Sequence, residues 1–364
     1  MGNWSDAPLE ILVLISEKLK LIEDFVAFRG VCSGWRSASP KEKFTGISQL
    51  SCIVYARKVV PLSNVAMHHL HHRPPPPPTR SRGRGRYRYY FKPSYFASKG
   101  WLFGINRHGD TCLFHPFSGA RMSLPHACTL PECEERDLIV EAVLSFSPSF
   151  ASNYALILRL AEYSSTGLAF WRPGKDVFTE IDNYKPALQW YSITCCKNGQ
   201  LYALDLAGTI VIWDTNAVDV PIVQLVMKSP SLYYRSLQIE PWLILLAEST
   251  DGQVFIVART THNIKDMLVV HRIDANNNKC VQVNNLGGRA LFFGVRARVC
   301  FFIEPSEIPV CMPNHIYLDE KRVYYKEYLP EYQDGGDHLS KPVPGIYSFP
   351  DGPLAPFKRK RHHS

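Results

Sequence analysis

No apolar run in this chain approaches the ~20 residues that a membrane-spanning helix needs, and its beginning carries nothing like a signal peptide. Metal-ligand spacing is missing as well. The ten Cys are scattered: Cys195 and Cys196 are adjacent, and Cys128 and Cys133 share a Pro/Glu-rich loop with no second pair. Without a secretory signal they are expected to be reduced thiols of a cytoplasmic or nuclear protein. No GxGxxG turn and no P-loop occur; Gly83 and Gly85 stand among arginines and follow no strand. No Cys has an identifiable His base and orienting group. These gaps exclude the commoner catalytic frameworks, so the chain reads as a non-enzyme with no cofactor and no metal.

What is present is apolar and aromatic. A chain of 364 residues at 46% hydrophobic content can bury a large core, and its length suggests two or three domains. Twelve per cent aromatics with 27 Pro and 22 Gly favour many short strands joined by turns. The net charge of +8 is uneven. Thirteen basic residues lie at Arg73, Lys99, Arg107, within 80–92 and at 358–361; removing them from 41 leaves 28 against 33 acidic residues. The body is thus mildly acidic, which argues against a broad nucleic-acid-binding face.

Residues 1–45 read as a helical domain of three short helices. Asp6 is a good N-cap and Pro8 falls in the first turn, where a missing N–H costs nothing. Leu9, Leu12, Ile15 and Leu19, with Ile11 beside them, make an apolar stripe at helical spacing. The run Ile22–Val31 places Phe25, Val26 and Phe28 on a second helix, and Cys32 and Trp35 fall on a third. So small a unit cannot cover this much Leu, Ile, Phe and Trp alone, which predicts a docking surface.

Residues 46–355 read as all-β. GWLFGINRHGDTCLFH (100–115) aligns without a gap on GQLYALDLAGTIVIWD (199–214), with Gly on Gly at 100/199 and 109/208. Period-two alternation makes each copy a β-hairpin. A third copy opens at Gly252, and weaker ones at Asn153, Arg298 and Gly345. Spacing near fifty predicts a β-propeller of about six blades, five to seven, with a β-sandwich as the alternative. Asp110, Asp205, Asp214 and Asp251 fall near predicted turns, where Asp accepts hydrogen bonds from its own backbone.

Four segments stand apart. MHHLHHRPPPPPTRSRGRGRYR (67–88) is a Pro/Arg-rich loop inside the second domain. Its His68, His69, His71 and His72, even with His362 and His363, lack the Cys or carboxylate neighbours of a metal site. Arg interleaved with Tyr87, Tyr89, Tyr90 and Phe91 leaves weak RNA binding open, with a solvated loop as the plainer reading. The basic tail 356–364 carries KRKRHH, either a nuclear address or a solvated end. The loops Pro125–Arg136 and Glu331–Lys341 are expected to project from a rim of the propeller.

The order Pro8, Leu9, Glu10, Ile11, Leu12, Ile15, Leu19, Asp24, Phe28, Arg29, Val31, Cys32, Trp35, Arg36 resembles an F-box, with Ala7 where that family commonly has Leu. The segments SKGWLF (98–103), HPFSGARMSLP (115–125), FWRPG (170–174), GQLYALD (199–205), LGGRALFFG (286–294) and PNHIYLD (313–319) resemble the plant F-box-associated KIB-type β-propeller. Together these resemblances imply a substrate-recognition subunit of an SCF-type cullin–RING ubiquitin ligase. Pro8, Leu9, Ile11, Leu12, Ile15, Leu19, Phe28, Val31, Cys32 and Trp35 would meet a Skp-type adaptor, and the propeller would bind an unknown target protein, with no membrane involved. The alternatives are a propeller that binds or inhibits a partner without ubiquitination, and an RNA-associated protein using the Arg/Tyr loop.

Overall fold

The computed structural model describes residues 7–19, 22–40, 52–55, 58–61, 68–69, 94–115, 119–131, 139–160, 167–184, 189–217, 220–229, 244–262, 265–294, 299–306, 311–319, 345–349 and 355–356. The Arg/Tyr segment, most of the Pro/Arg-rich loop, the loop Glu331–Lys341 and the basic tail after Pro356 lie outside these residues.

Three helices come first: α1 (Leu9–Lys18), α2 (Ile22–Gly30) and α3 (Ser33–Ala38). Pro8, not Asp6, is the N-cap of α1, and no side chain caps it. The Pro8 carbonyl takes the N–H groups of Ile11 and Leu12 at 3.1 and 3.2 Å. The helix therefore starts one residue after the proline; the fixed φ suits that place, and the absent N–H is not needed there. Asp6 is outside the described residues. Leu12, Phe28 and Ala38 form a small buried core, with Ala7, Val13, Ile15, Leu19 and Trp35 packed on it. The Phe28 and Trp35 rings lie 4.4 Å apart, binding α2 to α3. Ser16 Oγ donates to the Ala38 carbonyl at 3.4 Å, tying α1 to α3.

The remaining elements are strands. β1 (Cys52–Tyr55), β2 (Lys58–Pro61) and β3 (His68–His69) form a three-stranded antiparallel sheet, so a strand enters the segment read as a loop from residue 67. Five larger sheets follow, each a propeller blade. Blade 1 holds β4 (Ser94–Ser98), β5 (Trp101–Ile105), β6 (Thr111–Phe114) and β7 (Arg121–Ser123). Blade 2 holds β8 (Ile139–Leu144), β9 (Leu156–Leu160), β10 (Leu168–Trp171) and β11 (Thr179–Glu180). Blade 3 holds β12 (Trp190–Cys195), β13 (Gln200–Asp205), β14 (Thr209–Asp214) and β15 (Ile222–Lys228). Blade 4 holds β16 (Ile244–Glu248), β17 (Val254–His262), β18 (Lys265–Asp274) and β19 (Lys279–Val283). In these four, neighbouring strands follow chain order.

Blade 5 departs from that rule. Its order is β21 (Val299–Ile303), β20 (Ala290–Gly294), β22 (His315–Asp319), β23 (Gly345–Ser348), β24 (Ala355–Pro356). β20 pairs with β22 in parallel, which demands a crossover and cannot come from a hairpin. Among the described residues the blades number five, the lower end of the expected five to seven: the openings seen near Arg298 and at Gly345 lead into strands of one sheet.

The repeat is a structural one. Gly100, Gly199 and Gly252 have φ of 80°, 80° and 82°, and Gly109 and Gly208 have 87° and 77°. Each aligned glycine thus marks a turn that needs left-handed backbone.

The chain divides into two compact units, Met1–Asp205 with Val211–Val226, and Leu206–Ile210 with Met227–Ser364. In the first, one core gathers Phe103, Leu113, Leu144, Leu156 and Leu158 of blades 1 and 2. A second gathers Ile157, Leu168, Ile193, Leu201 and Trp213 of blades 2 and 3. In the second unit, Leu245, Val257, Leu291, Phe293 and Leu318 fill the space between blades 4 and 5. Both faces of a blade are therefore apolar, which explains continuous buried runs such as β9 and β20.

Candidate functional site

The helical module leaves apolar surface outside. Leu9, Ile11, Leu14 and Val31 are 53%, 48%, 60% and 54% exposed. Ile11 and Leu14 are three apart and share one face of α1, turned from the stripe of Leu12, Ile15 and Leu19. Of the ten residues predicted to meet a partner, Pro8, Leu9, Ile11 and Val31 are exposed. Ile15, Leu19, Cys32 and Trp35 are half-buried, while Leu12 and Phe28 belong to the module's own core. Leu14 was not singled out from sequence, because α1 is apolar nearly all round and a single stripe takes the eye; reading its second face would have found it. The corner between α2 and α3 is held by two reciprocal bonds. Arg29 Nη1 donates to the Arg36 carbonyl at 3.3 Å, and Arg36 Nε to the Arg29 carbonyl at 3.2 Å. These bonds fix the corner where Val31 is exposed.

In the propeller the polar groups hold blades together. Asp110 accepts from Asn106 Nδ2 at 2.9 Å, and Asp214 accepts from the Asn216 N–H at 2.8 Å, as turn aspartates do. Asp205, in contrast, is wholly buried at the end of β13. Asp251 reaches past its turn to Arg289 Nη1 at 2.7 Å. Burial works to raise the Asp251 carboxyl, but hydrogen bonds from Ser249 and Arg289, the Arg289 charge and the Gln253 N–H outweigh it and hold the group below its ordinary value. Arg289 also lies over the rings of Phe255 and Phe302, at 5.9 and 5.3 Å from their centroids.

Four of the thiols are held in the protonated form by burial. Desolvation pushes Cys112, Cys280 and Cys311 above the ordinary thiol value, and Cys300 well above it, so the reactive thiolate is disfavoured at each. Among the described residues no group of three or more His, Cys, Asp or Glu is placed to hold a metal ion, and no helix is long and apolar enough to cross a membrane. The loop Pro125–Arg136 is described only in its first part, where a 3-10 turn (Ala127–Thr129) buries Ala127 and Leu130 in the core of blades 1 and 2.

A small helical module followed, among the described residues, by five blades of four or five strands defines a β-propeller protein with an N-terminal helical module. A family model described as the KIB1-4 beta-propeller matches residues 76–347, and the chain belongs to that family. Two Arabidopsis thaliana proteins are similar along most of their length. One, named as an F-box protein, is 25% identical over 343 residues, covering 87% of each chain. The other, named as an F-box/kelch-repeat protein, is 25% identical over 357 residues, covering 87% of this chain and 86% of its own. Among solved structures, apo AztD from Citrobacter koseri matches 52% of this chain and 46% of its own, at 14% identity and a TM-score of 0.35. This chain therefore spans about half the length of that protein, and the likeness carries no inference about function.

Proposed function

We propose that this protein is the substrate-recognition subunit of an SCF-type cullin–RING ubiquitin ligase, acting in the cytoplasm or nucleus. The helical module docks on a Skp-type adaptor and the propeller holds a target protein. The observation that carries this reading is the outward apolar set Leu9, Ile11, Leu14 and Val31 on a module whose buried core, among the described residues, is Leu12, Phe25, Phe28 and Ala38. Covering the half of each side chain that is still exposed contributes roughly 1 kcal/mol apiece, so these four supply part of the docking energy and contacts around them supply the rest. The F-box names of the two Arabidopsis relatives support the same reading. Catalysis then resides in other subunits. The receptor's contribution is to raise the effective concentration of a target lysine near the charged conjugating enzyme.

The test is co-purification of the full chain with a Skp-type adaptor. Ile11→Asp with Leu14→Asp should abolish recovery while leaving the circular dichroism spectrum intact. Undiminished recovery of that variant removes the reading.

A further inference from the structure

Blades 1 to 3 have two ends, and the ends differ in charge. At one end the C-termini of β4 and β8 meet: the Leu144 N–H donates to Ser98 Oγ at 2.8 Å. The loops leaving this end are tied to one another. Trp101 Nε1 of blade 1 donates to Ser149 Oγ in the β8–β9 loop at 3.0 Å. Arg172, following β10, donates to Asn153 Oδ1 in that same loop at 3.2 Å and to the Thr215 and Ala217 carbonyls beyond β14. Trp171 Nε1 closes the β10–β11 loop on the Lys175 carbonyl at 2.7 Å. One platform thus runs across three blades, with its loops pre-set and little left to order on binding.

Two features of the platform stand out. Phe150, in a turn closed by its own N–H on the Ser147 carbonyl at 3.0 Å, is 46% exposed, and Val177 on the neighbouring loop is 51% exposed. Among the described residues this end carries Lys99, Lys175, Lys197 and the buried Arg172 against Asp176 and Asp214, while Arg121 at the start of β7 turns onto the Cys112 thiol. The opposite end leans the other way among the described residues: besides the buried Glu141–Arg159 pair, it carries Arg107 and Lys228 against Asp110, Glu180, Asp182 and the buried Asp205.

We infer that the first of these ends is the target-binding face, and that it takes an acidic extended segment of a partner protein bearing one large apolar side chain. This rests on the reading of the propeller as a target receptor. The apolar side chain covers Phe150 and Val177, and acidic residues on either side meet the basic loops. An exposed aromatic on the same end as a basic excess suits binding in which a few anchors supply most of the affinity and complementary charge steers the encounter. Nucleic acid would satisfy the charge but not Val177, and the test separates the two.

The experiment pans a displayed library of random twelve-residue peptides against the full-length chain. The expected result is enrichment of peptides with an excess of Asp and Glu around one aromatic or large aliphatic residue. Binding of a synthetic enriched peptide, followed by fluorescence anisotropy, should fall at least tenfold in Phe150→Ala and again in Lys175→Glu, and weaken severalfold between 50 and 500 mM salt. The Ile11→Asp, Leu14→Asp variant should bind the peptide normally, so loss of adaptor docking and loss of this face are read separately. No enrichment, a basic or charge-free consensus, binding unchanged in both variants, or equal displacement by a single-stranded oligonucleotide would overturn the inference. Thermal melts of the two variants matching the parent establish that the losses are local.

Discussion

Arg159 Nε meets Glu141 Oε2 at 3.0 Å with both side chains more than nine-tenths buried, and the pair spans β8 and β9 while reaching a third strand. Arg159 Nη1 donates to the Trp190 carbonyl at 3.0 Å, and Glu141 accepts from Ser192 Oγ and the Ile193 N–H, each at 3.3 Å. The pair therefore joins blade 2 to blade 3 through β12. Removing one partner strands the other as a buried charge. Arg159→Met should cost about 3–5 kcal/mol in urea unfolding, and adding Glu141→Leu should restore most of it. Equal losses in single and double variants would mean that packing, not charge, sets the cost.

Acid sensitivity should appear at the Asp251–Arg289 contact. The folded Asp251 carboxyl lies below its unfolded value, so its contribution is present above that value, near 3.9, and is lost as pH falls through the folded one. Because its side chain is about half exposed, the effect is modest. Asp251→Asn should lower stability by about 0.5–1 kcal/mol at pH 7, and the gap to the parent should close as the pH is lowered beyond 4. A gap independent of pH would show that shape, not charge, is what Asn fails to supply.

Two glycines at equivalent turns should respond unequally to alanine. Both need left-handed backbone, with φ of 80° at Gly199 and 82° at Gly252, so each loses about 1–2 kcal/mol to strain. A Cβ on Gly199 would also stand 2.5 Å from Asn216 Nδ2, whereas one on Gly252 meets nothing within 4 Å. Gly199→Ala should lower Tm further than Gly252→Ala, and Asn216→Ala in the first background should narrow the difference.

The two faces of α1 should separate stability from docking. Leu12→Ala removes the centre of the module's core and should cost about 2–5 kcal/mol, seen as faster chymotrypsin cleavage near the N-terminus. Leu14→Ala, at 60% exposure, should change stability by less than about 0.5 kcal/mol yet lower adaptor recovery. Coincident effects of the two substitutions would contradict this division.

Much of this architecture was legible in the sequence where a local rule dictates it. Glycines at Gly109 and Gly208, flanked by alternating apolar residues, can hardly be anything but hairpin turns, and they are. The helices α1 to α3 followed from apolar spacing. Blade 5 was misread because VCFFI and GIYS each look like a blade's opening; that both join β20 and β22 depends on a parallel pairing that no local pattern encodes. The exposed apolar set was half visible: Leu9 and Ile11 were named, but which apolar face of α1 turns outward depends on α3, as the Ser16 contact with Ala38 makes plain. Phe150 gave no signal at all. It sits in a Ser/Pro-rich loop without periodicity, and that loop is held by Arg172 and Trp101, residues far from it in the chain.

The pairing of β22 with β23 has a practical corollary. His315 to Leu318 lie opposite Ser348 to Gly345 in simple antiparallel register, the geometry a two-residue turn would satisfy, although residues 320–344 lie between. Since lengthening the connection between two paired strands costs only about 0.6 kcal/mol per doubling, an insertion between Asp319 and Gly345 should weigh little on the pairing. A fluorescent protein or affinity handle inserted there should leave the sheet's alignment untouched, giving a labelled chain for the binding measurements above.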